Sequence, residues 1–125
     1  MEQQATPLTG KRLLIAEDEP IIAMDYAAIL TSAGAHIVAT ATTATEAIAQ
    51  LQHIRVDAAV LDFVLADRNS DPLQAVLNER GIPFVVVSAY PPVLVRSSGA
   101  QQILHKPISA IDLCAAVKSV CEAQR

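Results

Sequence analysis

The chain has 125 residues, 52% of them apolar but only 3% aromatic, and a formal net charge of −4. That length suits one domain with a sizeable core and no staples, and an aliphatic interior poor in rings suits a helix-covered parallel sheet. With 9 Lys and Arg against 13 Asp and Glu, there is no cationic face to displace counterions, so DNA is not an expected partner. Apolar runs are broken by charge or proline well short of the roughly 20 residues a spanning helix needs. Met1 to Lys11 has neither a basic start nor an apolar stretch, so neither a signal peptide nor a membrane anchor is expected and the predicted location is cytoplasmic.

Strand-length apolar runs alternate with helical periods about five times, the signature of repeated β-α units. The first run is Leu13 to Ala16, followed by Glu17, Asp18, Glu19 and Pro20 and then a helix carrying Ile22, Tyr26, Ile29 and Leu30 until Gly34, a suitable helix stop. A second strand over His36 to Ala41 leads into Thr43 and Glu46, which have capping-box spacing, and a helix expected to bury Ala44, Ala47, Ile48 and Leu51. The third strand, Ala58 to Leu61, precedes a loop from Phe63 to Ser70 and a short helix opened by Asp71-Pro72 and closed at Gly81. Phe84 to Val87 is the fourth strand, and the proline-bearing stretch from Ser88 to Gly99 predicts only a short or irregular helix. Ile103 to His105 is a brief last strand, before a helix over about Ser109 to Glu122 that buries Leu113, Ala116, Val117 and Val120.

Cys114 and Cys121 fall on that helix about 10 Å apart along its axis, too far to pair, and read as small buried hydrophobes. No linker, repeat or low-complexity tract interrupts the pattern. The expectation is a single α/β domain over residues 1–125, flavodoxin-like, with a doubly wound five-stranded parallel sheet in the order 2-1-3-4-5 and helices on both faces. Its core runs from about 11 to 122, with residues 1–10 a flexible segment.

In such a sheet ligands bind outside the carboxyl ends of the strands. The polar residues there are Glu17 and Asp18 after the first strand, Asp62 after the third, Ser88 after the fourth and Lys106 after the fifth. Singly, each has a bland reading: helix-start acids, a turn serine, a surface lysine. Asp62 is the exception, because it is flanked by Leu61 and by Phe63, Val64 and Leu65, a context that buries a carboxylate. Together the strand-end residues predict three carboxylates in one crevice, whose repulsion a hard cation such as Mg2+ would relieve. A carboxylate beside such a cation can attack a phosphoryl group, with Lys106 and Ser88 directed at its oxygens.

These residues, in this order and spacing, resemble the response-regulator receiver domains, over roughly Lys11 to Cys121. The resemblance implies that Asp62 is the phosphoacceptor and that Glu17, Asp18, Asp62 and the Val64 main-chain carbonyl surround magnesium. It also implies that Ala89 offers its amide to the phosphate and that the Lys106–Pro107 bond is cis. The implied donor is a phosphohistidine on a sensor histidine kinase or a histidine phosphotransfer protein, and the downstream partner is a protein; a homodimer is compatible with this reading. The domain would be no enzyme in the ordinary sense, although it would catalyse its own aspartyl phosphorylation and slow dephosphorylation. One departure is Ile103, where receivers typically carry the Tyr or Phe of a rotamer switch. Phe84 with Ser88, Ala89 and Tyr90 instead resembles an alphaproteobacterial subfamily whose fourth strand ends in a Phe-Ala-Thr-Gly-Tyr type motif, which makes Tyr90 the predicted switch.

Other folds with related chemistry fit less well. A haloacid-dehalogenase type phosphatase typically carries a second Asp two residues after its nucleophile, where this chain has Val64, and a dinucleotide site needs a glycine-rich turn, whereas Gly10, Gly34, Gly81 and Gly99 stand apart. The remaining alternative is a receiver fold used only for docking and never phosphorylated, against which the retained carboxylate cluster counts.

Overall fold

The computed structural model describes residues 7–91 and 102–123. In chain order these form β1 (Arg12–Ala16), α1 (Pro20–Ser32), β2 (His36–Ala41), α2 (Ala44–Leu51), β3 (Ala58–Asp62), α3 (Asp71–Glu79), β4 (Phe84–Ser88), β5 (Gln102–His105) and α4 (Ala110–Ala123). All strand pairs are parallel and the sheet order is β2-β1-β3-β4-β5, as expected from the sequence. The irregular helix expected after Ser88 falls mostly on residues 92–101, outside the described residues.

Pleating sends successive strand residues to opposite faces, and the central strands are apolar on both. Leu14, Ala16, Ala59, Leu61, Phe84 and Val86 pack with Leu51 of α2 and Leu73 and Leu77 of α3. Leu13, Ile15, Ala58, Val60, Val85 and Val87 pack on the other side with Tyr26 and Leu30 of α1 and Leu113, Val117 and Val120 of α4. Cys114 and Cys121 are free thiols, only partly buried at the edge of this second core. Burial raises both thiols above their ordinary values.

One expectation is corrected at the start of the chain. Leu8, assigned from the sequence to a flexible segment, is fully buried in the second core. Its amide donates to the Ala33 carbonyl at 2.9 Å and the Gly10 amide to that of Gly34 at 3.3 Å, so residues 8–10 latch onto the end of α1. Gly34 has φ +102°, and a Cβ there would lie 2.9 Å from the Thr9 backbone; both the left-handed turn and the close approach require glycine.

Candidate functional site

Parallel strands deliver their carboxyl-terminal residues to one rim, and pleat parity decides which of these residues meet. Asp62 ends β3 on the parity of Ala58 and Val60, which face α1 and α4; Glu17 continues the parity of Leu13 and Ile15, and Lys106 that of Leu104. These three come together. The Lys106 Nζ lies 3.2 Å from Glu17 Oε1 and 3.0 Å from Asp62 Oδ1. The Lys106 amide donates to the Ser88 carbonyl at 2.8 Å, which seats the lysine beside the end of β4, and the Lys106–Pro107 peptide bond is cis. Ser88 continues the opposite parity; it is buried, and its Oγ accepts from the Tyr90 amide at 2.9 Å.

Glu17 is 1% and Asp62 6% exposed. Burial pushes the Asp62 carboxyl up to about 8, with a hydrogen bond to Glu17 adding to the rise while Lys106 opposes it. One ammonium cannot compensate two buried carboxylates. Burial alone would lower Lys106, but its hydrogen bond to Asp62 and the charges of Asp62 and Glu17 outweigh that and raise it to about 12.

Asp18 completes the cluster: ligand oxygens of Glu17, Asp18 and Asp62 lie within 4.8 Å of one another. Three carboxylates with excess negative charge and all-oxygen donors fit a hard divalent cation such as magnesium. Val64 sits in the β3–α3 connection, opposite Asn69 in a small antiparallel bridge. The bridge is made by the Ser70 amide on the Phe63 carbonyl and the Leu65 amide on the Arg68 carbonyl, each 2.8 Å. In a pair of this kind the two central residues do not bond to each other, so the Val64 carbonyl is left out of the bridge and its side chain is exposed.

Tyr90 is 52% exposed at the end of β4, and His105 Nε2 donates to the Ala89 carbonyl at 3.1 Å. Two residues near the site escaped sequence reading. Tyr26 looked like an ordinary helix core position, yet it feels the charges of Lys106, Glu17 and Asp62, and burial pushes its hydroxyl up to about 12; its place two turns into the helix after Glu17 was the available signal. No local pattern singles out Asp67, in the loop between β3 and α3, yet its carboxylate accepts from the amides of Ala44 and Thr45 at the start of α2, at 2.8 and 3.2 Å. Nothing local in the sequence connects positions 67 and 44.

Among the described residues no helix is long and apolar enough to cross a membrane. The family model described as the response regulator receiver domain matches residues 13–118. The transcriptional regulatory protein PdtaR of Mycobacterium tuberculosis is 33% identical over 113 residues, covering 86% of this chain and 55% of that protein. The crystal structure of an anti-anti-sigma factor PhyR from Bartonella quintana superposes with a TM-score of 0.85 at 25% identity, over 96% of this chain and 52% of that one. A response regulator receiver protein from Sinorhizobium medicae gives a TM-score of 0.82 at 26% identity, over 92% of this chain and 97% of that one. The chain thus spans about half the length of the first two. With the family match running through all five strands and both layers of helices, the chain belongs to the response-regulator receiver domain family.

Proposed function

We propose that the chain accepts a phosphoryl group on Asp62 from a phosphohistidine donor, carried by a sensor histidine kinase or a histidine phosphotransfer protein, in a magnesium-dependent reaction. The observation that carries this reading is the Lys106 ammonium held between the buried carboxylates of Glu17 and Asp62, 3.2 and 3.0 Å away, with Asp18 beside them. A carboxylate oxygen of Asp62 attacks phosphorus as the bond to the donor imidazole breaks, which leaves an acyl phosphate on the chain. Lys106, already beside Asp62, offsets charge on the phosphoryl oxygens. Ser88 accepts from the Tyr90 amide and so keeps its hydroxyl hydrogen to donate, and the Ala89 amide serves the same group. Glu17, Asp18, Asp62 and the Val64 carbonyl would hold magnesium, which when bound supplies neutralising charge and favours the ionised form of Asp62.

The signal then leaves through protein contacts, in keeping with the name anti-anti-sigma factor borne by the Bartonella relative, or the phosphoryl group is relayed or discarded. Acetyl phosphate with magnesium should add one phosphoryl mass to the intact chain and none to Asp62→Asn, because an amide is a far weaker nucleophile than a carboxylate. Labelling of the Asn variant at the rate of the unaltered chain would place the acceptor elsewhere.

A further inference from the structure

We propose that Asp67 is a positioning residue: by clasping the start of α2 it sets the β3–α3 loop, and with it the Val64 carbonyl, at the height the metal site needs. The inference rests on the magnesium reading of the cluster.

The first-turn amides of a helix have no partner within it, and α2 fills these positions from two separate places. Thr43 Oγ1 accepts from the Glu46 amide at 3.0 Å, and Glu46 Oε1 accepts from the Thr42 amide at 3.0 Å. These contacts are local. The Ala44 and Thr45 amides instead donate to Asp67, 23 and 22 residues away, and the Thr45 hydroxyl adds a third bond at 2.9 Å. Next to it, the Ala66 amide donates to the Thr42 carbonyl at 3.0 Å.

The loop therefore has two supports. Its base is closed by the Phe63–Ser70 and Leu65–Arg68 bonds, and its tip is tied to α2 by Asp67 and Ala66. The α2 side is itself fixed to the site, since the Glu17 amide donates to the Ala41 carbonyl at 2.9 Å. Val64 lies within the base, bracketed by the Phe63–Ser70 and Leu65–Arg68 bonds. A free tip would let the hairpin of residues 63–70 tilt as a unit about the end of β3, and a main-chain ligand, having no side-chain torsions to compensate, would move with it. Hydrogen bonds from Ala44 and Thr45 hold the Asp67 carboxyl down at about 2, so the clasp is fully ionised at neutral pH.

The test separates positioning from helix capping and from simple loss of charge. Asp67→Ala removes the clasp; Thr43→Ala removes an α2 cap bond that does not touch the loop; Asp67→Asn removes the charge, keeps an oxygen for the Ala44 amide and turns an NH2 group toward the Thr45 amide, so it loses part of the clasp. Asp67→Glu keeps the charge while displacing the carboxylate by one methylene, and stands in if Asp67→Ala does not fold. Magnesium titration by calorimetry should show affinity about tenfold weaker in Asp67→Ala, the scale seen when a group that orients a metal ligand is lost. Asp67→Glu should also be weakened and Asp67→Asn should fall between Asp67→Ala and the unaltered chain, with Thr43→Ala close to the unaltered chain. In metal-free buffer the Leu65 and Ala66 amides should exchange faster in Asp67→Ala but not in Thr43→Ala. Equal magnesium affinity in all variants, or an Asn variant as weak as the Ala one beside a normal Glu variant, would overturn the clasp while leaving the metal reading intact. No magnesium binding by the unaltered chain would overturn both.

Discussion

Replacing Asp62 by Asn should make the metal-free chain more stable near neutral pH, although it removes the proposed acceptor. The folded environment, chiefly by burial, raises the Asp62 carboxyl from 3.8 to about 8. Between those values the folded chain retains a proton that the unfolded chain has released, so rising pH disfavours the fold across that window. A shift of that size sets a ceiling of about 6 kcal/mol. Asp62 lies at the open rim of the sheet beside a partly exposed lysine, where water and side-chain relaxation raise the effective dielectric and reduce the expected effect to about 1–3 kcal/mol. An amide has the shape of the neutral carboxyl and carries no charge, so it avoids the penalty at every pH. For a chain of this size the gain corresponds to a melting temperature about 5–10 °C higher for Asp62→Asn, measured by thermal denaturation at pH 7.5 with a chelator. The difference should shrink toward pH 4, where both side chains are neutral, and magnesium should narrow it by stabilising the unaltered chain alone. An Asn variant less stable than the unaltered chain at pH 7.5 without metal would refute the claim that the carboxylates strain the fold.

A Glu17→Ala, Asp18→Ala double variant should lose magnesium affinity, because a hard-cation site weakens as negative ligands are removed; unchanged affinity by titration would sink the proposed ligand set. Tyr90→Ala and Ile103→Ala should both accept phosphate on Asp62, but only the Tyr90 variant should lose the difference in partner affinity between phosphorylated and unphosphorylated forms. The Tyr90 amide rests on Ser88 Oγ, so a serine drawn to the phosphate disturbs that bond and the ring beyond it; a Tyr90 variant that kept the full difference would move the switch elsewhere. Gly34→Ala should destabilise the chain by about 2–4 kcal/mol, combining a left-handed φ with a clash against the Thr9 backbone, and a melting temperature within about 1 °C of the original would contradict it.

Much of this was legible in the order of residues. Runs such as Leu13 to Ala16 and Phe84 to Val87 are short, apolar on both faces and rich in β-branched or aliphatic side chains, which only a sheet covered by helices on both sides accommodates; their alternation with helical periods then leaves few topologies. Thr43 and Glu46 announced the start of α2 because the bond from the Glu46 amide to the Thr43 hydroxyl is local chemistry, complete within four residues. Glu17, Asp62, Ser88 and Lys106 stood out because each interrupts or follows an apolar strand. Contacts that close over long sequence separations were not legible. Leu8 has the composition of a loose terminus until the Ala33 carbonyl and the Gly34 turn receive it. Asp67 is an ordinary loop acid until α3 and α2 pack side by side, and Tyr26 is an ordinary core residue until the lysine from β5 reaches over the rim to the acids of β1 and β3. Propensity, periodicity and capping act within a few residues, so the elements, their order and the polar groups at the strand ends can be read from the chain alone. Which of those groups touch depends on pleat parity and on neighbours brought together from distant parts of the chain, and it emerges only once the sheet and its helices have packed.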